Sequence, residues 1–313
     1  MSAVMNSSSR TQAALAERTI VITGASSGFG KGVARRLAEQ GAKLVLVARR
    51  TDLIEALASE CGNAIAVTAD VGNANEVERV SNAALVQFGG YDVWINDAGV
   101  AALGYFDEIP LEDHHRVVQT NLIGVINGSH CALHEFRRQG HGTLINIASV
   151  LGKVPAPYYA SYVASKFGVV GLGAALRQEL RASGENEGIH VCTVMPGAAD
   201  TTFFVHAANY TGHRLQPYPL DDPEPVIEAI VSAVQVPRDE IAVGTGTSAA
   251  ILSHNLAPAL TDIANGVMTH QNQMEQAPEQ LPTPGSLHQP QDAGRGVHGG
   301  LKHQLAREQG GMH

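Results

Sequence analysis

The chain has 313 residues, 44% of them hydrophobic, which is enough for one large domain with tails. A formal charge of -9 and a pI near 5.8 exclude a nucleic-acid partner as the working expectation, because phosphate backbones select basic faces. Cys61, Cys131 and Cys192 stand far apart without CxxC spacing, and no apolar run reaches the roughly 20 residues of a membrane span, so a cytoplasmic protein without disulfides or a span is expected.

In chain order, residues 1–17 are polar and rich in Ser and Ala and read as a flexible segment. A catalytic domain over 18–247 follows, in which β-branched apolar runs at 19–23, 43–47, 64–68, 93–96, 143–148, 189–194 and 240–243 predict strands. Stretches at 31–40, 75–88, 111–139 and 159–182 have the apolar spacing of amphipathic helices. This alternation predicts an α/β fold, a doubly wound (Rossmann) seven-stranded parallel sheet with helices on both faces. Residues 248–270 read as a helical extension interrupted by Pro258. Residues 271–313 are rich in Gln, Pro, Gly and His and predict a disordered tail, whose His288, His298, His303 and His313 are too irregularly spaced to favour a metal.

The first strand runs into Thr23-Gly24-Ala25-Ser26-Ser27-Gly28-Phe29-Gly30 and then directly into a helix. Such a turn lets backbone N–H groups approach a pyrophosphate, and the helix N-terminus adds partial positive charge. Gly24, Ser26, Ser27, Gly28, Phe29 and Gly30 are therefore candidate cofactor residues, in a TGxxxGxG rather than GxGxxG spacing. At the end of the second strand, where NAD-binding folds place a carboxylate on the ribose, stand Arg49 and Arg50. Guanidinium groups there favour a 2′-phosphate, hence NADP(H).

Tyr162 and Lys166 lie four residues apart on one predicted helix face, thirteen residues after Ser149 at the end of the fifth strand. A neighbouring ammonium favours the phenolate, bringing a phenol with an ordinary pKa near 10 closer to use as a general acid/base, and Ser149 is placed to hold a substrate oxygen. Taken singly, each has a structural reading: a helix aromatic, a surface cation, a helix cap. It is their joint occurrence after a cofactor turn that points to catalysis.

With these motifs in place, the sequence resembles the short-chain dehydrogenase/reductase family in its compact branch, over roughly residues 18–243. The resemblance assigns TGASSGFG to the cofactor turn, Asp70-Val71 to the adenine contact and Asn121 to a catalytic asparagine that completes a tetrad with Ser149, Tyr162 and Lys166. It implies a helix irregularity and a water held by Asn121. It also implies cofactor contacts from Asn96, Ala98 and Gly99, and from Pro196, Gly197, Ala199 and Thr201. Two departures stand out: Ala199 replaces the usual Val, and Asp97 replaces the second asparagine of the family's Asn-Asn-Ala-Gly, with an expected effect on packing rather than chemistry.

The activity so implied is NADP(H)-dependent interconversion of an alcohol and a ketone or aldehyde, with Tyr162 moving the proton and no metal required. Neither His114-His115 nor His134-Glu135 forms HExxH, and no GxSxG elbow is present. The non-enzymatic rival is a dinucleotide sensor or scaffold with the tail as an interaction arm. Val150, Leu151, Tyr158 and the segment 202–220, with Phe203, Phe204, Tyr210 and Tyr218, are candidates to line a hydrophobic substrate pocket, though these rings could equally pack into the core. The resemblance further implies a homodimer or homotetramer, with Gly168, Gly171 and Gly173 permitting close helix approach, either between subunits or within one.

Overall fold

The computed structural model describes residues 15–310. The expected flexible segment 1–17 falls almost entirely outside the described residues, as does His313; of that segment Leu15 is buried in the core.

The expected strands form one parallel sheet. They are β1 (Thr19–Thr23), β2 (Lys43–Ala48), β3 (Ala64–Thr68), β4 (Val93–Asn96), β6 (Gly142–Ile147), β7 (Ile189–Pro196) and β9 (Glu240–Val243), in the order β3-β2-β1-β4-β6-β7-β9. Two-residue strands β5 (Ala102–Leu103) and β8 (Ala208–Asn209) pair separately beyond the main sheet. The order reverses between β1 and β4, and such a switch point opens a crevice at the carboxyl ends of the strands.

Both faces are covered because the strands are apolar in both registers. Ile20 and Ile22 of β1 pack on one side with helices α1 (Gly28–Glu39), α2 (Thr51–Cys61) and α8 (Glu224–Gln235). Val21 points to the other, among residues of α3 (Ala74–Phe88), α5 (Gly124–Gln139) and α6 (Ala160–Ser183). That second core holds the fully buried Trp94, edge-on to Tyr91 with ring centroids 5.4 Å apart.

The stretch predicted as one helix over 111–139 is α4 (Leu111–Val118) and α5 joined by a π-helical turn at Gln119–Ile123, which contains Asn121. A four-residue helix, α7 (Phe203–His206), follows β7. Pro258, which lacks an N–H, separates α9 (Thr247–Leu256) from α10 (Pro258–His270). α11 (Leu301–Gly310) ends the described chain.

The stretch expected as a disordered tail lies against the domain. Asn209 bridges Thr283, His213 bridges Glu279 and Thr201 bridges His298, while Ala277, Ser286 and Leu287 are buried. Composition undersold this segment because its order comes from main-chain hydrogen bonds to the domain, which hydrophobic content does not register. Gly285, Gly294 and Gly299 permit the approach: a Cβ on Gly285 would sit 2.3 Å from the carbonyl oxygen of His206, and one on Gly299 2.3 Å from that of Thr201.

Candidate active site

Thr23 ends β1 inside the crevice, where its hydroxyl accepts from the N–H groups of Asp97 (3.1 Å) and Ala98 (3.3 Å) and so fixes the end of β4 beside it. Gly24 then turns with φ +76°, and a Cβ there would lie 2.8 Å from the amide nitrogen of Ala98. The chain passes through Ser26 and Ser27 into α1, whose N-terminus faces a cleft of about 680 Å³.

At one end the cleft is bounded by the turn from Gly24 to Phe29 and by Arg49, Arg50, Asp70 and Val71. Arg50 donates from Nε and Nη2 to the Ser26 hydroxyl (3.2 and 3.0 Å) and from Nη2 to that of Ser27 (2.8 Å). Asp70 accepts from the N–H of Gly72 at 2.9 Å and pairs with Arg116. Although burial opposes its ionisation, Arg116, the Gly72 N–H and Arg49 hold the carboxyl below the usual range.

At the other end stand Ser149, Tyr162 and Lys166, with Ala98, Gly99, Pro196, Gly197, Ala199 and Thr201 on the walls between. Ser149 caps a 3-10 turn, its Oγ accepting from the N–H of Leu151 at 3.1 Å, and its side chain also hydrogen-bonds Tyr162. Lys166 lies one turn further along α6, with Nζ 5.6 Å from the centre of the Tyr162 ring and donating to the Ile147 carbonyl at 2.8 Å. Burial pushes the Tyr162 phenol up to about 12, against the Ser149 hydrogen bond and with the Asp97 charge, the opposite direction to the lowering expected from a neighbouring ammonium, because desolvation outweighs it. Burial likewise brings Lys166 down to about 8, against the pull of Asp97.

Three candidates do not line the cleft. Gly30 lies beneath it, where a Cβ would sit 2.7 Å from the Gly24 carbonyl oxygen. Asn96 is turned into the core: it accepts from Trp94 Nε1 at 2.8 Å and donates to Asn146 at 2.9 Å, so it joins strands rather than facing a cofactor. Asn121 is fully buried, exchanging hydrogen bonds with Val100 (2.8 and 2.9 Å) and donating to Ser165 at 3.1 Å. Its π-turn is the irregularity that the resemblance implied.

The apolar end is built from Val150, Leu151, Val154, Phe203, Phe204 and Met268, with Tyr218 at 73% exposure. Two expected rings lie elsewhere: the Tyr210 hydroxyl donates to Asp113, and the Tyr158 hydroxyl meets His270 Nδ1 at 2.6 Å. The cleft also uses residues that the sequence reading did not assign to it. Asp97 lines the floor, where the Gly30 N–H donates to it, and burial raises its carboxyl to about 7 against Lys166 and that hydrogen bond. His206, Ser286, Pro290 and Gln291 join the walls from far along the chain. For Asp97 the signal was its departure from the family motif.

The arrangement suits a nicotinamide dinucleotide: guanidinium and hydroxyl donors with a helix N-terminus at one end, and a phenol with an ammonium at the other. The profile of the short chain dehydrogenase family matches residues 18–210. The chain belongs to this family.

Among its relatives, the uncharacterized oxidoreductase YxnA of Bacillus subtilis is 33% identical over 294 residues, covering 91% of this chain and 80% of that protein. The 3beta-hydroxysteroid dehydrogenase 1 of Eggerthella lenta is 35% identical over 190 residues, 59% of this chain and 71% of the other. Solved family structures agree. The 3-ketoacyl-(acyl-carrier-protein) reductase of Brucella melitensis complexed with NADH superposes with a TM-score of 0.65 at 29% identity, covering 75% of this chain and 99% of that one. The alcohol dehydrogenase of Thermococcus sibiricus complexed with 5-hydroxy-NADP gives 0.62 at 28%, covering 72% and 95%. As a short-chain dehydrogenase, the chain is an oxidoreductase with a Rossmann-like seven-stranded sheet. Among the described residues no three His, Cys, Asp or Glu side chains gather as a metal site, and no helix is long and apolar enough to cross a membrane.

Proposed function

We propose that this chain is an NADP(H)-dependent oxidoreductase of the compact branch, a carbonyl reductase or alcohol dehydrogenase, acting on a hydrophobic ketone, aldehyde or alcohol. The observation that carries this reading is the single cleft that joins Arg49 and Arg50 at one end to Ser149, Tyr162 and Lys166 at the other. The relative named as a hydroxysteroid dehydrogenase and the neighbour named as a ketoacyl reductase support a carbonyl or alcohol substrate. Since neighbours carry either NADH or an NADP derivative, the preference rests on the two arginines and the missing carboxylate.

Ser26, Ser27, the α1 N-terminus and the arginines would hold the dinucleotide, which when bound supplies or accepts the hydride. The Ser149 and Tyr162 hydroxyls hold the substrate oxygen between them. In reduction the neutral phenol of Tyr162 donates its proton to the developing alkoxide, and in oxidation it takes that proton back. Lys166, fixed by Ile147, favours the phenolate that results. Asn121 anchors the loop after β4 through Val100, while Phe203 and Phe204 shield the reacting end from water.

Assembly as a homodimer or homotetramer and a cytoplasmic location belong to the same proposal. Gly168 packs against Leu122 and Gly173 against Thr193 within the chain, whereas Gly171 faces open space, and Ile126 and Phe167 are exposed on α5 and α6. These features support a helix-pair contact between copies, which light scattering tests directly.

The deciding experiment follows NADPH and NADH consumption across aliphatic, aromatic and steroid-like ketones, with Tyr162→Phe beside the native protein. Turnover that vanishes in the variant while cofactor binding survives is the expected result. Unchanged turnover in the variant would sink the mechanism.

A further inference from the structure

The segment that follows Gly285 crosses the proposed cofactor end of the cleft and accepts from donors that a dinucleotide site would present. Arg49 donates to the carbonyls of Ser286 (2.6 Å), Leu287 (2.8 Å) and His288 (3.3 Å), and Arg50 donates from Nη1 to that of Gly294 (3.1 Å). The N–H of Gly28, at the α1 N-terminus, donates to the Gly296 carbonyl at 3.0 Å, and Lys31 Nζ to that of Arg295 at 2.9 Å. The segment is anchored as well as draped. Leu287 is fully buried in the cluster that contains Tyr162, and its carbonyl also accepts from Arg116 at 3.0 Å.

We propose that residues 286–296 are a built part of the dinucleotide site, a strap that closes over the adenosine-phosphate end and encloses NADP(H) beneath it. This rests on the cofactor reading above. Two observations favour a strap over a competitor for the phosphate positions. Space remains under it: the cleft runs unbroken from Val71 and Arg49 to Lys166, with Ser286, Pro290 and Gln291 as part of its wall. The groups it offers the guanidiniums are neutral carbonyls, whereas its carboxylate, Asp292, is 99% exposed and pairs with Arg295. The carbonyls add no negative charge of their own, and Asp70 toward Arg49 and Asp52 and Asp292 toward Arg50 act through space, so the two guanidiniums keep positive charge for a phosphate.

The test is limited trypsin digestion of the full native chain, following the Arg295–Gly296 bond by mass spectrometry with and without NADPH, while NADPH fluorescence reports binding in the same samples. A strap over bound cofactor opens only when cofactor leaves, so cleavage slows by about 100-fold at NADPH concentrations 100 times Kd. Faster cleavage with NADPH would show that cofactor expels the segment, and unchanged cleavage despite binding would show that the two are unrelated; either result overturns the strap alone. Absence of NADPH binding overturns the cofactor reading and the strap with it. A local variant gives a second readout. Gly294 has φ +67°, and a Cβ there would lie 2.5 Å from His206 Nε2, so Gly294→Val dislodges the strap at one point. NADPH dissociation faster by about tenfold, with circular dichroism unchanged, is expected, and an unaltered rate would overturn the proposal.

Discussion

Lys166 donates from Nζ to the Ile147 carbonyl at 2.8 Å, and this bond holds the ammonium over the face of Tyr162 rather than in solvent. In the proposed mechanism Tyr162 and Lys166 act on one proton. Tyr162→Phe and Lys166→Met are each expected to lower kcat by about 10²–10⁴, with the double variant little worse than the poorer single one. Effects that multiply in steady-state kinetics would show that the two side chains work independently.

Asp97 gives a pH dependence of stability. Its folded-state pKa, about 7, lies above the ordinary 3.8, so the native protein binds the extra proton between these values. The stabilising contribution is complete below the ordinary carboxyl range and is lost as pH rises through about 7. Asp97→Asn should therefore gain stability relative to the native chain between pH 4 and pH 8, by roughly 1–3 kcal/mol. Urea unfolding of both proteins at the two pH values checks this, and a difference independent of pH counts against it.

Arg50 and Arg49 are expected to part company in cofactor binding. Arg50 gives Nε and Nη2 to the Ser26 and Ser27 hydroxyls and only Nη1 to strap carbonyls, whereas Arg49 donates to three main-chain carbonyls of the strap from both Nη1 and Nη2. Arg50→Ala should weaken NADPH by about 10- to 100-fold and NADH far less, while Arg49→Ala should affect both through the strap. Dissociation constants for the two cofactors decide it; equal losses in Arg50→Ala would remove the proposed phosphate contact.

Gly128 on α5 faces Asn96 and Trp94, and a Cβ there would lie 2.2 Å from Asn96 Oδ1 and 2.6 Å from Trp94 Nε1. Gly128→Ala should destabilise the fold by roughly 1–3 kcal/mol through overpacking, with the Kd for cofactor unchanged. A large loss of cofactor affinity at unaltered thermal stability would return Asn96 to the cofactor site.

Local sequence determined the sheet and the pairing of Tyr162 with Lys166 at one end of the cleft. Strands such as Ile20-Val21-Ile22 are apolar in both registers, and Tyr162 and Lys166 reach one face through helix geometry alone, so short-range pattern carried the information. Only the tertiary structure decided that Asn96 turns inward, that Asp97 shares the floor with Lys166, and that Tyr210 and Tyr158 bond away from the cleft. Each of these depends on a partner far away in sequence. The same holds most strongly for residues 286–296, polar and glycine-rich by composition: Leu287 finds its burial, and its neighbours' carbonyls their donors, on a surface made by Arg49, Arg50 and Arg116 more than 170 residues earlier. A segment whose order comes from main-chain bonds to a preformed surface leaves no periodicity of its own to read.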